Sequence, residues 1–425
     1  MIAHEELTRR FGTPLYVYDL EQVRAGRDQL FASLPSGFRV YYALKANPHP
    51  DIAMAVRESA PGPVGAEISS VGELSAALEA GFAPHEVLYT GPGKTSEEVM
   101  ICLDAGVTHF SIESMGDFHR IAELARMTGR VAEAMLRINQ SATGSGSGIQ
   151  MMGRPSQFGI DAETLPEIAE TLRTTAGIRV VGTHFYAGSN VVEEDALVGE
   201  FRRAARLAYE LRETYGLAME VVDLGGGFSS PYTRRGERTA YPKLATRLAA
   251  MLDEEFPGWR DGDTHFAVES GRYIVGESGT LLTRVTNIKD SRGKRFVIVD
   301  AGVNTLGGLS GLNRLLPMSV ETLHEGEADN VASLVGPLCT PGDWLSRDTA
   351  LPPLLEGDLV AIPNVGAYGP SASLLGFLGR PAPTEVLIEG ETVVSCSRLE
   401  LVRRATVIDQ PVIPLPVQHL RLVRS

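Results

Sequence analysis

From about residue 38 to residue 273 the sequence repeats one unit: a short β-prone apolar run, a polar turn, and a stretch with apolar residues at helical spacing. Such alternation predicts an α/β protein with a parallel sheet. Eight units in about 235 residues fit a closed (β/α)8 barrel, although an open doubly wound sheet has the same periodicity. The apolar runs end at Asn47, Ser70, Gly91, Ser114, Asn139, Ser189, Gly227 and Arg272.

After Arg272 the pattern changes to β-rich segments separated by Gly, Pro and Asp turns, without long helical stretches. These segments predict a second, mainly antiparallel β domain. The N-terminal segment PLYVYDL is a lone strand before the barrel pattern, so we expect it to pair with this distal sheet. The predicted domains are a barrel over residues 28–275 and a β-rich domain made of residues 1–27 and 276–425. The β-rich segments are TLLTRVTNIKD, RFVIVDAG, DLVAIPN and TEVLIEGETVVSC.

The composition is that of a globular protein of two domains, with 425 residues, 43% hydrophobic and 22% charged. A net charge of −14 argues against a nucleic-acid partner. The N-terminus lacks a secretory signal and no apolar run reaches bilayer length, so we expect a cytoplasmic protein without a membrane partner. Cys102, Cys339 and Cys396 lack CxxC spacing and the histidines form no HExxH motif, so we expect no metal site.

Polar residues accumulate where the predicted strands end. In a parallel barrel these ends converge on one face, which makes the residues there site candidates. A lysine among apolar residues, as in YYALKAN, either pairs with an acid such as Glu67 or offers a reactive amine. The candidates are Lys45, Glu67, Arg137, His184, Tyr186, Ser189, Gly225, Gly226, Gly227, Glu269 and Arg272.

Three successive glycines after the seventh strand expose backbone N–H groups and suit a phosphate, although a tight turn is the alternative. Together the candidates offer a phosphate anchor, an amine for carbonyl chemistry, a side chain for a ring face, and Glu269 for a ring nitrogen. Pyridoxal phosphate (PLP) needs all four. The Gly/Ser segment at residues 141–148 predicts a flexible loop on the same face, either an ordinary surface loop or a lid.

The sequence resembles the alanine-racemase-like (fold type III) PLP-dependent decarboxylases, the group of diaminopimelate, ornithine and arginine decarboxylases. The resemblance covers nearly the whole chain, and its motifs follow the family's order. It implies a PLP-dependent carboxy-lyase of amino-acid metabolism that forms a homodimer with shared active sites. The matching segments are TPLYVYDL, YYALKAN, GAEISSVGEL, SQFGI, HFYAGSN, DLGGGF, ESGR, VDAGVN, GPLCTPGD and GAYG.

The resemblance also implies roles for individual residues. Lys45 would hold PLP as a Schiff base, and Glu269 would contact its pyridine nitrogen. Cys339 would enter the partner subunit's active site and help to protonate the carbanion after CO2 leaves, although a small buried hydrophobe is the alternative for this cysteine. Phosphate would be held by Gly225 to Gly227 with Ser189 and Arg272. The other implied contacts to cofactor, lysine or substrate are Glu67, Glu73, Arg137, His184, Tyr186, Gly271 and Tyr368.

Three departures from the family bear on the substrate. Thr340 replaces the acid that normally follows the cysteine and binds a distal ammonium. The arginine and tyrosine expected after VDAG are missing, with Arg314 a loose substitute, and Tyr186 replaces a ring-stacking histidine. These changes predict a specialised branch that decarboxylates carrier-protein-tethered or acylated amino acids rather than simple diamino acids. Thr340, Arg314, Arg272 and Tyr368 are the candidate substrate-binding residues.

Three alternatives remain open at this point. An amino-acid racemase or epimerase would use the same cofactor and barrel but break a different bond at Cα. A non-catalytic PLP-binding protein would bind the cofactor without turnover. A barrel enzyme without PLP would use Lys45 for aldol-type Schiff-base chemistry.

Overall fold

The chain begins outside the barrel. In the computed structural model, which describes residues 2–140, 155–186, 188–307, 319–323 and 330–404, helix α1 (His4–Phe11) precedes strand β1 (Leu15–Asp19). Helix α2 (Leu20–Ala32) follows directly, because the side chain of Asp19 accepts hydrogen bonds from the backbone N–H groups of Glu21 and Gln22. This helix leads the chain to the barrel.

Eight parallel strands form a closed ring. Each strand pairs with the strand beside it, and the pairing of β5 with β6 closes the ring. The closed ring confirms the (β/α)8 barrel and excludes the open doubly wound sheet. Residues on both faces of the strands are buried, as in Val64–Ile68 of β3, which is expected where helices cover a parallel sheet. The strands are β2 (Arg39–Ala43), β3 (Val64–Ile68), β4 (Val87–Tyr89), β5 (His109–Ile112), β6 (Ala132–Asn139), the two-residue β7 (Ile160–Asp161) beside β6, β8 (Ile178–His184), β9 (Val221–Asp223) and β10 (His265–Ser270).

Helices connect the barrel strands, and several of them begin at Ser or Thr residues that cap the first helical turn. The side chains of Ser70, Thr95 and Ser114 each accept a backbone N–H of the first helical turn. Gly216 adopts a left-handed conformation and ends α8. The helices are α3 (Pro50–Arg57), α4 (Val71–Glu79), α5 (Ser96–Ala105), α6 (Met115–Met127), α7 (Leu165–Thr174), α8 (Glu194–Tyr215), α9 (Leu244–Glu255) and the short α10 (Arg272–Val275).

The remaining strands form a second, mainly antiparallel sheet. Strand β1 lies inside it, antiparallel to β11 and parallel to β16, which confirms the predicted pairing of PLYVYDL. Among the described residues of this second sheet, the one other parallel pair is β12 with β13, and the remaining pairs are antiparallel. The strands are β11 (Gly279–Ser291), β12 (Lys294–Val299), β13 (Asn330–Val335), β14 (Trp344–Leu351), β15 (Leu359–Ile362), β16 (Thr384–Glu389) and β17 (Thr392–Arg398).

Two features from the sequence lie outside the described residues: the Gly/Ser segment at residues 141–148 and Arg314. Among the helices that the structure does describe, none is long and apolar enough to span a bilayer. The second sheet meets the barrel beside β2, where the backbone N–H of Tyr368 donates to the carbonyl oxygen of Ala46 at 2.7 Å. This contact places a loop of the second domain next to Lys45.

Candidate active site

One pocket at the C-terminal ends of the barrel strands brings most of the predicted residues together. It encloses about 400 Å³ of space, part of it open to solvent. Nine predicted residues line it, and Ala43, Phe228, Ser270 and Tyr273 complete its wall. The predicted nine are Lys45, Tyr186, Ser189, Gly226, Gly227, Glu269, Gly271, Arg272 and Tyr368.

Lys45 follows β2 in a single turn of 3-10 helix and points its amine into this pocket. Its Nζ lies 2.9 and 3.2 Å from the two carboxylate oxygens of Glu67. Burial of the amine lowers its pKa, but the charges of Glu67 and Glu269 more than offset this and hold the pKa of Lys45 above its usual range. The ion pair expected from the sequence therefore exists, and it also leaves the amine at the pocket.

Tyr186 provides an aromatic surface beside the amine. Its ring centroid lies 5.6 Å from Nζ of Lys45, within the range of a cation–π contact. Burial raises the pKa of the Tyr186 phenol to about 12, although the charge of Lys45 opposes this. The phenol is therefore neutral at physiological pH, and its ring can stack on a flat ligand.

The glycines after β9 form a cradle that side chains would fill. Gly225 has a φ of +83°, and a Cβ built there would lie 2.1 Å from the carbonyl oxygen of Phe185. A Cβ on Gly226 would lie 3.2 Å from the Tyr186 ring, inside the pocket wall. The bare backbone leaves room for an anion such as a phosphate, with Ser189 and Arg272 also on the wall.

Glu269 ends β10 at the pocket floor and pairs with a buried histidine. Its Oε1 lies 3.0 Å from Nε2 of His184, whose Nδ1 lies 2.7 Å from Oγ of Ser111. Burial raises the pKa of Glu269, but the attraction of His184 outweighs it and lowers this pKa to about 2. The Oε1–Nε2 pair is close but not aligned as a hydrogen bond, so Glu269 retains an acceptor for a ligand N–H.

Five predicted barrel residues are not on the pocket wall: Glu67 and Gly225, which are described above, and Arg137, Glu73 and His184. Arg137 is 12% exposed, pairs with Glu113 at 2.8 Å and covers the ring of Phe158. Glu73 accepts the backbone N–H of Ser69 at 2.6 Å, and burial raises its pKa. His184 reaches the pocket only through Glu269, because its side chain is 1% exposed. Arg137 and Glu73 thus support the strand ends.

Tyr368 closes one side of the pocket from the second domain. Its φ of +53° is unusual for a residue with a side chain and marks a strained position. The backbone bond to Ala46 and a hydrogen bond from the Tyr232 hydroxyl to the Tyr368 carbonyl oxygen, 3.1 Å long, hold it there. The guanidinium of Arg272 lies 5.8 Å from the Tyr368 ring centroid.

Cys339 and Thr340 do not line the pocket of their own chain. They lie in the loop between β13 and β14, where Cys339 is exposed, so the interpretation of this cysteine as a small buried hydrophobe is wrong. The buried carboxylate of Asp343 organises the loop by accepting the backbone N–H groups of Val303 at 2.8 Å and Leu338 at 2.7 Å. The loop thus presents a thiol outward from a rigid base.

The sequence interpretation missed four residues that shape the site: Tyr232, Ser111, Glu113 and Asp223. Glu113 and Asp223 end strands β5 and β9, so the rule of polar strand ends that identified the others applies to them as well. Glu113 also accepts the backbone N–H groups of Gly91 at 3.1 Å and Gly159 at 2.8 Å. Tyr232 and Ser111 gave no such signal.

These features fit PLP. A primary amine, a glycine cradle, an aromatic ring and a carboxylate with a free acceptor surround a single pocket, as a phosphorylated pyridine aldehyde requires. Lys45 would hold the aldehyde carbon, Gly225 to Gly227 with Ser189 and Arg272 the phosphate, and Glu269 the ring nitrogen.

Comparison with known proteins points to the same cofactor. Residues 20–276 match the family model described as pyridoxal-dependent decarboxylase, pyridoxal binding domain. The L-glutamyl-[BtrI acyl-carrier protein] decarboxylase of Niallia circulans is 34% identical over 390 residues, which are 90% of each chain. The diaminopimelate decarboxylase of Methanothermobacter thermautotrophicus is 32% identical over 395 residues, 92% of this chain and 90% of the relative. The crystal structure of Helicobacter pylori diaminopimelate decarboxylase complexed with L-lysine has a TM-score of 0.79 at 28% sequence identity. The match covers 92% of this chain and 95% of the Helicobacter pylori chain.

Proposed function

From the premise that the chain belongs to the pyridoxal-dependent decarboxylases, we propose that it removes the α-carboxylate of an amino acid with a neutral or carrier-bound side chain. The family establishes PLP as the cofactor and decarboxylation of an amino acid as the reaction class. The observation that carries the proposal is the pocket in which the Lys45 amine, the glycine cradle and Glu269 meet.

When bound, PLP supplies an electron-accepting ring that stores the electron pair left when the bond between Cα and the carboxylate breaks. Lys45 would hold the cofactor by its amine, and Glu67 at 2.9 Å is the group placed to take the proton that this amine must lose. Glu269 has a lowered pKa, and as a carboxylate it would keep a proton on the ring nitrogen. Tyr186 would offer its aromatic face to the ring.

Arg272 and Tyr368 lie at the side of the pocket where substrate would enter. The guanidinium of Arg272 would attract the anionic groups of cofactor and substrate, while the ring of Tyr368 would limit the access of water to the pocket. Tyr232 positions Tyr368 by donating a hydrogen bond from its hydroxyl to the backbone carbonyl oxygen of Tyr368. Dry surroundings favour loss of the charged carboxylate as neutral CO2.

Protonation of the carbon that loses CO2 requires an acid, and we assign it to Cys339 of a second subunit. The thiol is exposed on the loop between β13 and β14 and is absent from the wall of its own pocket. A homodimer in which each loop enters the other pocket gives the thiol a function and creates two shared sites. The base provided by Asp343 makes the position of the loop well defined.

The substrate proposal depends on Thr340, which follows the thiol. A hydroxyl cannot neutralise a distal ammonium, and an unpaired charge in a closed site costs several kcal/mol, on the order of 2 to 5. A neutral amide, ester or thioester has no such requirement. The relative from Niallia circulans, whose printed name gives an acyl-carrier-bound glutamyl group as its substrate, supports a tethered amino acid.

Exchange of Thr340 tests this assignment. We expect the wild type to decarboxylate glutamate linked through its side chain to a carrier or to a small thiol, and to ignore diaminopimelate. Thr340→Glu should reverse the preference, whereas Thr340→Gln, of similar size without charge, should leave it unchanged. Mass spectrometry of the products distinguishes loss of CO2 from inversion of Cα, which a racemase would give. Equal turnover of diaminopimelate by wild type and Thr340→Glu would contradict the assignment.

A further inference from the structure

Beneath the pocket, three buried ionisable residues meet at the ends of neighbouring strands. His184 on β8, Asp223 on β9 and Glu269 on β10 are 1%, 0% and 3% exposed, and one polar atom of each lies within 4.8 Å of the others. The register of the barrel fixes this arrangement, because His184 lies directly opposite Asp223 in the β8–β9 pair. Asp223 does not line the pocket, and it has no role in the proposed binding of cofactor or substrate.

The charges around Asp223 are already balanced without it. The ammonium of Lys45 pairs with Glu67, and the guanidinium of Arg137 pairs with Glu113. His184 has Glu269 as its acidic partner. The cations named here, all among the residues that the structure describes, thus already have acidic partners, and a second ionised carboxylate buried beside Glu269 would be strongly unfavourable.

The hydrogen bonds of Asp223 also favour a protonated side chain. Its Oδ1 accepts the backbone N–H of Gly225 at 2.8 Å, while Oδ2 is buried without a hydrogen-bond partner among the residues that the structure describes. A buried carboxylate oxygen without a donor is costly, but a protonated oxygen can turn its O–H towards the neighbouring Glu269. Burial and the charge of Glu269 raise the pKa of Asp223, and together they outweigh the lowering by the hydrogen bond from Gly225 and by the charge of Lys45.

We infer that Asp223 is a neutral, protonated acid that positions Glu269, an inference that rests on the proposed contact of Glu269 with the ring nitrogen. Its O–H faces the Glu269 carboxylate, and its lack of charge leaves the ion pair of Glu269 with His184 undivided. Asp223 is a positioning residue, because it acts on the cofactor only through other groups.

The same side chain also links the two ends of the cofactor site. Oδ1 of Asp223 holds the N–H of Gly225, where the glycine cradle begins, and the carbonyl oxygen of Gly225 accepts the N–H of Glu269 at 3.0 Å. Asp223, Gly225 and Glu269 thus form a short hydrogen-bonded connection between the phosphate cradle and the carboxylate for the ring nitrogen.

Infrared spectroscopy of the cofactor-free protein tests the protonation state directly. At a pH well above 7, we expect the wild type to show the carbonyl stretch of a buried carboxylic acid, and the band should be missing in Asp223→Asn. Glu385→Gln is the matched control and should retain the band, because the pKa of Glu385 is raised only to about 7 by burial and this residue is ionised at such pH. An unchanged band in Asp223→Asn would overturn the inference.

Affinity for PLP tests the positioning role. Asn copies a neutral aspartic acid, so Asp223→Asn should bind PLP within about threefold of the wild type, whereas Asp223→Ala, which loses the acceptor for Gly225, should bind about tenfold or more weakly. Equal weakening in both variants would show that a negative charge is needed and overturn the inference. Neither measurement uses a substrate, so a wild type that binds PLP but releases no CO2 would contradict the proposed function alone.

Discussion

The carboxylate of Glu67 holds the amine of Lys45 by two contacts, of 2.9 and 3.2 Å, and is 3% exposed itself. The Thr90 hydroxyl donates to the same carboxylate at 2.8 Å and fixes its orientation. Such a pair stores the amine as an ammonium, the form that cannot attack an aldehyde. The base that releases the amine is therefore already in contact with it.

Replacing Glu67 with Gln should shift the pH at which the protein captures its cofactor. The carboxylate raises the pKa of Lys45, so its removal should lower the pH midpoint for the rate of PLP attachment, by about one unit or more. Stopped-flow absorbance of the cofactor-free protein mixed with PLP measures this rate. Thr90→Val keeps the carboxylate and should shift the midpoint little. An unchanged midpoint in Glu67→Gln would contradict the role of Glu67.

The proposed sharing of active sites between two subunits predicts complementation. Lys45→Ala and Cys339→Ala should each be nearly inactive, but co-expression should give mixed dimers with one intact site. Random assembly should restore roughly a quarter of wild-type activity. The control is Lys45→Ala co-expressed with the double variant Lys45→Ala, Cys339→Ala, which should stay inactive. No recovery in the first mixture would place the thiol outside a shared site.

Asp343→Asn should separate cofactor binding from turnover. Both carboxylate oxygens accept a backbone N–H, and an amide can accept only one of them, so the base of the Cys339 loop should loosen at a cost of about 1 to 3 kcal/mol. We expect PLP affinity to remain near that of the wild type while kcat falls about tenfold. Asp348→Asn changes an exposed acid on β14 and is the matched control. A matching loss of PLP affinity in Asp343→Asn would argue for general unfolding instead.

Glu385 should make stability depend on pH. Burial raises the pKa of this carboxyl to about 7, although the hydroxyl of Tyr18 donates to it at 3.1 Å and lowers the pKa in part. The folded chain thus keeps a proton that the unfolded chain releases near its ordinary pKa of about 4.3. The contribution of Glu385 to stability is therefore full at low pH and is lost as the pH rises through this window to about 7.

The variant that checks this sign is Glu385→Gln, which is neutral at every pH and retains an acceptor for Tyr18. Its free energy of unfolding should match that of the wild type near pH 4 and exceed it by roughly 2 to 4 kcal/mol near pH 8. Denaturant titrations at the two pH values measure the difference. Glu389→Gln, on the exposed end of the same strand, should show no such trend. A difference that shrinks with rising pH would refute the assignment.

The barrel could be predicted from the sequence because the residue patterns that indicate its strands and helices are local. Each strand and helix has its own apolar periodicity and its own cap, and convergence of the strand ends is a property of the fold class. Closure depends on the pairing of β5 with β6, which no local pattern encodes. Strands β13 and β14 were not anticipated for a similar reason, since their pairing has irregular register and β13 joins β12 only through a distant crossover.

The site was readable in part. Lys45, Glu269 and the glycines lie at or just after the ends of strands, so their position on the chain predicts their position in space. Tyr232 could not be found this way, because it reaches Tyr368 across 136 residues of sequence. The protonation of Asp223 depends on the balance of charges on neighbouring strands, which appears only when β8, β9 and β10 are placed side by side.

Release of labelled CO2 tests the central claim most directly. Glutamate carrying ¹³C in its α-carboxylate, linked through its side chain to a carrier protein, would be incubated with PLP-loaded wild type and with Lys45→Ala, in parallel with labelled diaminopimelate. We expect ¹³CO2 from the carrier-bound glutamate with the wild type only. Release from diaminopimelate but not from the tethered substrate, or release that persists in Lys45→Ala, would contradict the account.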